Sequence, residues 1–278
     1  MAGMLYLVPT PIGNLGDISP RCRETLEQAD FIAAEDTRVS LKLLNHLGIK
    51  KSLVSYYEHN KAFKGNMIVD RILAGETCAL VSDAGSPAIS DPGEDLVRQC
   101  AEAGITVCAI PGPCAVITGL SISGLPTGRF CFEGFLSTSK KSRREHLESL
   151  VKEQRTMIFY EAPHKLLTTL QDMAAVFGGD RPISLCRELT KLHEEVVRTT
   201  QEGAIEKYTQ QPPKGEFVLV IGGAQPEETP EPTEVDAAAY VKNLMNQGIS
   251  RKDAIKQTAK DLNMPKNAVY DAALSIDE

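Results

Sequence analysis

Several common devices are missing from this chain. The seven cysteines, Cys22, Cys78, Cys100, Cys108, Cys114, Cys131 and Cys186, form no C-x-x-C pair, and the five histidines do not gather near them. Neither a structural zinc site nor a disulfide framework is expected from that scatter. Isolated thiols in apolar surroundings fit a reducing, cytoplasmic setting. No apolar run approaches the roughly 20 residues that span a bilayer. The opening MAGMLYLVPTPIG has no basic region and breaks at Pro9, so it does not read as a signal peptide. There is no G-x-x-x-x-G-K-[ST] phosphate loop and no G-x-G-x-x-G after a strand, which removes support for nucleotide hydrolysis and ordinary dinucleotide binding. No fixed-period repeat occurs. A cationic surplus is also lacking: the net charge of −7 argues against a protein that coats nucleic acid indiscriminately.

The 278 residues suffice for two domains and a small appendage, and 42% hydrophobic with 24% charged residues is ordinary for a soluble globular protein. Over the first 124 residues, short apolar runs alternate with helical patterns. Strands are expected at Leu5–Val8, Phe31–Ala34, Leu53–Tyr57, Thr77–Val81 and Val107–Ile110. Helices are expected between them, at Arg21–Ala29 (capped by Asp17 or Ser19 with Pro20 first), across Leu41 to Leu47 up to Gly48, at Asn66–Leu73 and at Glu94–Ala103. This alternation predicts a mostly parallel sheet. The stretch VSDAGSPAISDPG, Val81 to Gly93, holds two Asp, two Gly, two Pro and three Ser, so it continues neither strand nor helix. A buried strand that ends in a small-residue loop is where open α/β sheets bind ligands, although an ordinary tight turn gives the same composition.

Residues 125–224 have another rhythm and predict a smaller α/β domain with a mixed sheet. Strands are expected at Phe130–Phe135, Thr156–Tyr160, Pro182–Arg187 and Phe217–Ile221, with Glu194–Thr200 open between strand and helix. STSKKSRR, Ser137 to Arg144, concentrates four cations without an anion and reads as a basic loop before a helix from Arg144. It is either an RNA contact or a solvated charge run. The acidic, Pro-rich segment 225–233 reads as a linker. Residues 234–278 then form three short helices resembling a helix-turn-helix miniature, which either binds nucleic acid or simply packs.

Taken in order, PTPIGNLGDISPR, AEDTR, SDAGSPAISDPG, PGPCAVITGLSISGLP, FEGFL, FYEAPH, RELTKLHEE and KGEFVLVIGG resemble the tetrapyrrole-methylase superfamily, the class III S-adenosylmethionine-dependent methyltransferases. The resemblance runs from about Leu5 to Gly223 and includes the C-terminal helices. It implies two α/β domains with S-adenosylmethionine in the cleft between them, and a homodimer. Within the superfamily it is strongest to the subfamily that methylates the ribose 2′-hydroxyl of a decoding-site cytidine in 16S rRNA of the small ribosomal subunit. The first loop here is poorer in glycine than is usual in the superfamily, which favours RNA over a tetrapyrrole. A small-molecule tetrapyrrole methyltransferase and a non-catalytic ribosome-binding module are the competing readings.

The resemblance implies that Pro9, Asp83, Gly85, Ser86, Ala88 and Ile89 line the cofactor from the first domain, together with the small residues Cys114 and Ala115. From the second domain, Tyr160 and Glu161 are expected to face the same cleft, with Gly215 and Glu216 closing over adenine. Methyl transfer to a ribose hydroxyl needs alignment, dehydration and a base, or donors that favour the developing alkoxide. Candidates at strand ends are Glu35, Asp36, Arg38, Glu161, His164, Arg187, Glu188 and Lys191, with Asp36 expected as base and Lys191 or Arg187 as the alkoxide or phosphate contact. Arg38, Lys140, Lys141, Arg143, Arg144 and His164 are candidate RNA contacts, with a local salt bridge for Arg38 and helix capping for His164 as the plainer alternatives. No metal is expected.

Overall fold

Strand and helix periods alternate through the first half. The strands are β1 (Met4–Leu7), β2 (Phe31–Ala34), β3 (Ser52–Ser55), β4 (Cys78–Val81) and β5 (Thr106–Ala109). Between and after them run α1 (Pro20–Gln28), α2 (Thr37–Leu47), α3 (Lys61–Leu73), α4 (Gly93–Glu102) and α5 (Ala115–Ser123). The computed structural model describes residues 3–225 and 234–274 of the chain. Ser19 caps α1 by accepting the Cys22 N–H at 3.1 Å, with Pro20 in the first turn, and Gly48 closes α2 at φ 73°.

The first sheet has the order β3-β2-β4-β1-β5, and every pairing in it is parallel. β2 and β4 are buried along their whole length, so they read as continuous apolar runs, FIAA and CALV, rather than as alternations. Leu26 of α1 and Leu44 of α2 pack on one face with Ile32 and Ala34. Ile68 and Ile72 of α3 and Leu96 of α4 pack on the other with Phe31 and Leu80. The neighbouring central strands β4 and β1 therefore send their connections to opposite faces. That divergence opens a crevice at their carboxyl ends.

The second half contains β6 (Phe130–Phe135), α6 (Lys140–Ser149), β7 (Thr156–Glu161), α7 (Leu166–Phe177), β8 (Pro182–Arg187), β9 (Glu195–Thr200), α8 (Gln201–Gln210) and β10 (Phe217–Ile221). Its sheet has the order β6-β7-β10-β8-β9; β6 and β7 are parallel and the other pairs antiparallel. The open choice at 194–200 thus resolves to strand. Phe217 pairs with both Glu161 and Arg187, so the carboxyl ends of β7 and β8 and the start of β10 meet at one end of the sheet. One face packs on α7 and α8 through Phe159, Leu170, Met173 and Leu219. The other is covered by α5, whose Val116 and Leu120 contact Ile158, Val218 and Val220. Although α5 follows the first sheet in sequence, it roofs the second. Arg198 of β9 secures it by donating to the Ser123 carbonyl at 3.1 Å. Residues 1–224 accordingly form one compact unit.

The second compact unit, 225–278, contains α9 (Glu234–Asn246), α10 (Arg251–Asp261) and α11 (Lys266–Leu274). Its core is Ala237, Val241, Ala254, Ile255, Val269 and Ala273. Ser250 caps α10 by accepting the Asp253 N–H. Most of the expected linker, residues 226–233, lies outside the described residues. Among the described residues, no helix is long and apolar enough to cross a membrane, and no group of three or more His, Cys, Asp or Glu side chains is arranged to hold a metal ion.

Two local expectations change. α3 starts at Lys61 rather than Asn66 and runs through Gly65, a glycine that the packing requires, since a Cβ there would meet Gln99 Oε1 at 2.3 Å. The basic stretch is helical from Lys140 rather than from Arg144.

Candidate functional site

The crevice of the first sheet and the converging end of the second share a cavity of about 520 Å³. That is within the range of small-molecule and cofactor sites. Its first wall is the β4–α4 loop. Thr10 and Gly85 exchange backbone hydrogen bonds at 3.0 Å, joining the loops after β1 and β4 at the crevice. The Ser86 hydroxyl donates to the Pro113 carbonyl at 2.9 Å and ties in the loop after β5. Asp91 accepts the N–H groups of Ala88 at 2.9 Å and Gly93 at 2.7 Å, folding the loop back on itself with Ala88 at φ 67° and Ser90 at φ 64°. Burial leads the causes that raise the Asp91 carboxyl above its ordinary range. Asp83 accepts the backbone N–H of Asp36 at 3.0 Å, which joins this loop to the end of β2.

At the end of β2, Glu35 and Asp36 diverge. Asp36 is chelated by the Arg38 guanidinium, with contacts of 3.0 and 2.6 Å, and also accepts the Arg38 N–H; these bonds hold its carboxyl at about 2. Glu35 lines the cavity. Burial raises its carboxyl above the usual range, and the nearby charges of Asp83 and Asp91 add to the effect. The feature that separates the neighbours is the arginine two residues after Asp36, and the plainer alternative for Arg38 is the one the structure adopts.

The opposite wall comes from the second sheet. Lys191 bridges Glu188 at 2.9 Å and Glu216 at 3.0 Å. Burial opposes its charge, yet the two carboxylates hold the ammonium above its ordinary range. Two glycines make room for this network. A Cβ on Gly13 would meet Lys191 Cγ at 2.4 Å, and one on Gly215, at φ 80°, would meet Glu188 Cγ at 2.4 Å. Tyr160 stacks edgewise against Phe132 and lies 5.4 Å from the Phe135 ring, and burial pushes its phenol up to about 12. The Glu161 carboxylate is buried, accepting the Thr169 hydroxyl at 2.6 Å and the Ala162 N–H at 2.8 Å.

Of the expected cofactor residues and catalytic candidates, Glu35, Asp83, Ile89, Ala115, Tyr160, Glu161, Glu188, Lys191 and Glu216 line the cavity. Pro9, Gly85, Ser86, Ala88, Cys114 and Gly215 are in loops and are not among the residues that line it. Arg187 is directed elsewhere, into an ion pair with Glu195 at 3.0 Å. Among the expected RNA contacts, Arg143 is held by Asp172 at 2.6 Å and by the Ser137 and Thr138 carbonyls, with a side chain only 11% exposed. That geometry makes it a clamp for the β6–α6 turn. Arg144 and Lys141 pair with Glu148 and Glu145 one turn on, and Lys140 has no carboxylate partner among the described residues. His164 is exposed and leaves α7 uncapped by any side chain. Ile12, Phe135 and Leu189 also line the cavity. They fall within PTPIGNLGDISPR, FEGFL and RELTKLHEE, but pattern did not single them out as lining residues, because their convergence depends on strand order.

Comparison with known proteins places this geometry. The tetrapyrrole (corrin/porphyrin) methylase profile matches residues 4–204. The chain is 48% identical over 275 residues to ribosomal RNA small subunit methyltransferase I of Synechocystis sp., covering 99% of each chain. It is 49% identical over 273 residues to the protein of that name from Halalkalibacterium halodurans, covering 96% of this chain and 93% of that one. Among solved structures, uroporphyrin-III C-methyltransferase from Thermus thermophilus, complexed with S-adenosyl homocysteine, shares the fold at TM-score 0.55 and 16% identity, covering 79% of this chain and 97% of that one.

Proposed function

Because the chain belongs to the tetrapyrrole (corrin/porphyrin) methylase family, we propose that its cavity binds S-adenosylmethionine and methylates a ribose 2′-hydroxyl of small-subunit ribosomal RNA, at a decoding-site cytidine. The near full-length similarity to two ribosomal RNA small subunit methyltransferases I supports small-subunit ribosomal RNA as the acceptor. The cavity suits the cofactor in size and chemistry. Ile89, Tyr160 and Val218 supply apolar wall, and Glu35, Asp83 and Glu216 supply negative charge for a ligand with a positive sulfur and an ammonium group. S-adenosylmethionine supplies a methyl group already activated by that sulfur.

The residues then have separate tasks. Glu35 takes the proton of the ribose hydroxyl as its oxygen is methylated. Its raised carboxyl pKa brings it nearer the working pH of a general base. Asp36, chelated by Arg38, instead positions the start of α2. Lys191 faces the developing oxygen charge or the adjacent phosphate. Glu161 positions Tyr160 and the Ala162 turn through its bonds to Thr169 and Ala162.

Primer extension at low nucleotide concentration, on rRNA from cells with and without this protein, tests the reading. The 2′-O-methyl stop at the decoding-site cytidine should vanish without the protein and return on complementation. A stop that persists unchanged, or methyl transfer to a porphyrinoid but not to small subunits, would overturn it.

A further inference from the structure

The cations of α6 and α10 are deployed differently. On α6, three of four are committed to carboxylates, in the pairs Lys141–Glu145, Arg143–Asp172 and Arg144–Glu148. On α10, Lys252, Lys256 and Lys260 are all exposed, and none has an ion-pair partner among the described residues. Their i, i+4, i+8 spacing puts them on one face within about 12 Å of helix axis. Ala254, Ile255 and Thr258 bury the opposite face against α9 and α11. Packing of the helix therefore does not involve the three ammonium groups.

Nearby acids are otherwise engaged. Asp253, which borders the same face, accepts the Ser250 hydroxyl at 2.6 Å. Asp261 accepts the Tyr240 hydroxyl at 3.2 Å. Three lysines kept unpaired in a row on a protein of net charge −7 form a local positive face suited to a polyanion.

We propose that the Lys252–Lys256–Lys260 face of α10 docks the phosphate backbone of the RNA substrate, supplying affinity while the cavity supplies chemistry. The proposal rests on the rRNA reading for the identity of the polyanion. Backbone contacts position a substrate without reading its sequence, so the stripe contributes to KM and not to the choice of nucleotide.

The test uses the full-length protein, with Lys252, Lys256 and Lys260 all changed to Gln and, separately, all to Glu. Circular dichroism, thermal unfolding and S-adenosylmethionine binding establish that each variant is folded and its cavity intact; the Gln set serves if the Glu set unfolds. Affinity for a decoding-region RNA transcript is measured against salt concentration, alongside methyl transfer to small subunits. The Gln variant should lose about 2 from the slope of log affinity against log salt, as three contacts to single-stranded RNA imply. The Glu variant should bind roughly tenfold or more weakly at moderate salt. KM for subunits should rise in both while kcat holds. Unchanged RNA affinity and slope would overturn the proposal and leave the stripe a solvated face. A raised KM for subunits with unchanged affinity for the transcript would also overturn it, in favour of a protein component of the subunit. If wild type transfers no methyl group to subunits yet binds RNA through the lysines, the rRNA methylation reading falls and the docking face stands.

Discussion

Two loops line the same cavity and are held by opposite means. Residues 82–93 and 188–191 contain four of the five non-glycine residues with positive φ among the described residues, Ala88, Ser90, Glu188 and Thr190. Such conformations cost about 1–3 kcal/mol each and persist only where the surroundings impose them. In the first loop, side-chain oxygens of Asp91, Ser82 and Ser86 are bonded within the loop or to the neighbouring turn, without a cationic partner. In the second, Lys191 bridges Glu188 and Glu216, and Glu194 accepts the Thr190 N–H at 2.6 Å. One wall is therefore built from bonds that salt scarcely screens, and the other depends on charge.

The largest effect should come where the first loop meets chemistry. Glu35→Gln keeps the size of the side chain and removes the proton acceptor. We expect kcat to fall by about 10²–10⁴, the usual contribution of a general base, with S-adenosylmethionine affinity changed little. Single-turnover methylation beside calorimetric cofactor binding checks this. A rate near wild type would move the base to the second wall and leave the first only a holder of cofactor.

Next is the integrity of the first loop. Asp91→Ala strands the Ala88 and Gly93 N–H groups that the carboxylate now accepts. We expect a loss of about 3 kcal/mol in urea unfolding, from hydrogen bonds to a charged group, and weakened cofactor binding. The loss should be nearly the same at low and high salt. Strong salt dependence would mean that this loop, too, is held by charge.

Sequence patterns revealed the frame of this comparison more readily than its detail. β2, β6, β8 and β10 have the bounds that apolar runs predict. SDAGSPAISDPG declared itself by its density of turn formers. Pattern could not separate Glu35 from Asp36, because the difference lies in which carboxylate Arg38 reaches. Nor could it show that RELTK meets KGEF, since that contact follows from the antiparallel register of β8 and β10. The partner of Arg143 was hidden for a related reason: it finds Asp172 29 residues away, beyond any local pattern.

The smallest effect, and the sharpest contrast, lies in pH. The Lys191 ammonium holds the Glu188 carboxyl below its ordinary range of 4.5, against the opposing effect of burial. The folded state therefore binds the Glu188 proton more weakly than the unfolded chain does. The resulting stabilisation is fully present above pH 4.5 and is lost as pH falls through the lowered folded value. Glu35 and Asp91 are shifted the other way, mainly by burial, so their ionisation subtracts from stability as pH rises out of the acid range. Unfolding of wild type and Glu188→Gln, compared from pH 7 to pH 3, should show a gap of about 1 kcal/mol near neutrality that closes on acidification. Amide exchange should show residues 188–191 opening with acid before residues 82–93 do. A gap that stays flat to pH 3 would mean that the second loop is held by its packing and backbone bonds instead of by the ion network. The two walls would then differ in residue type but not in the physics that shapes them.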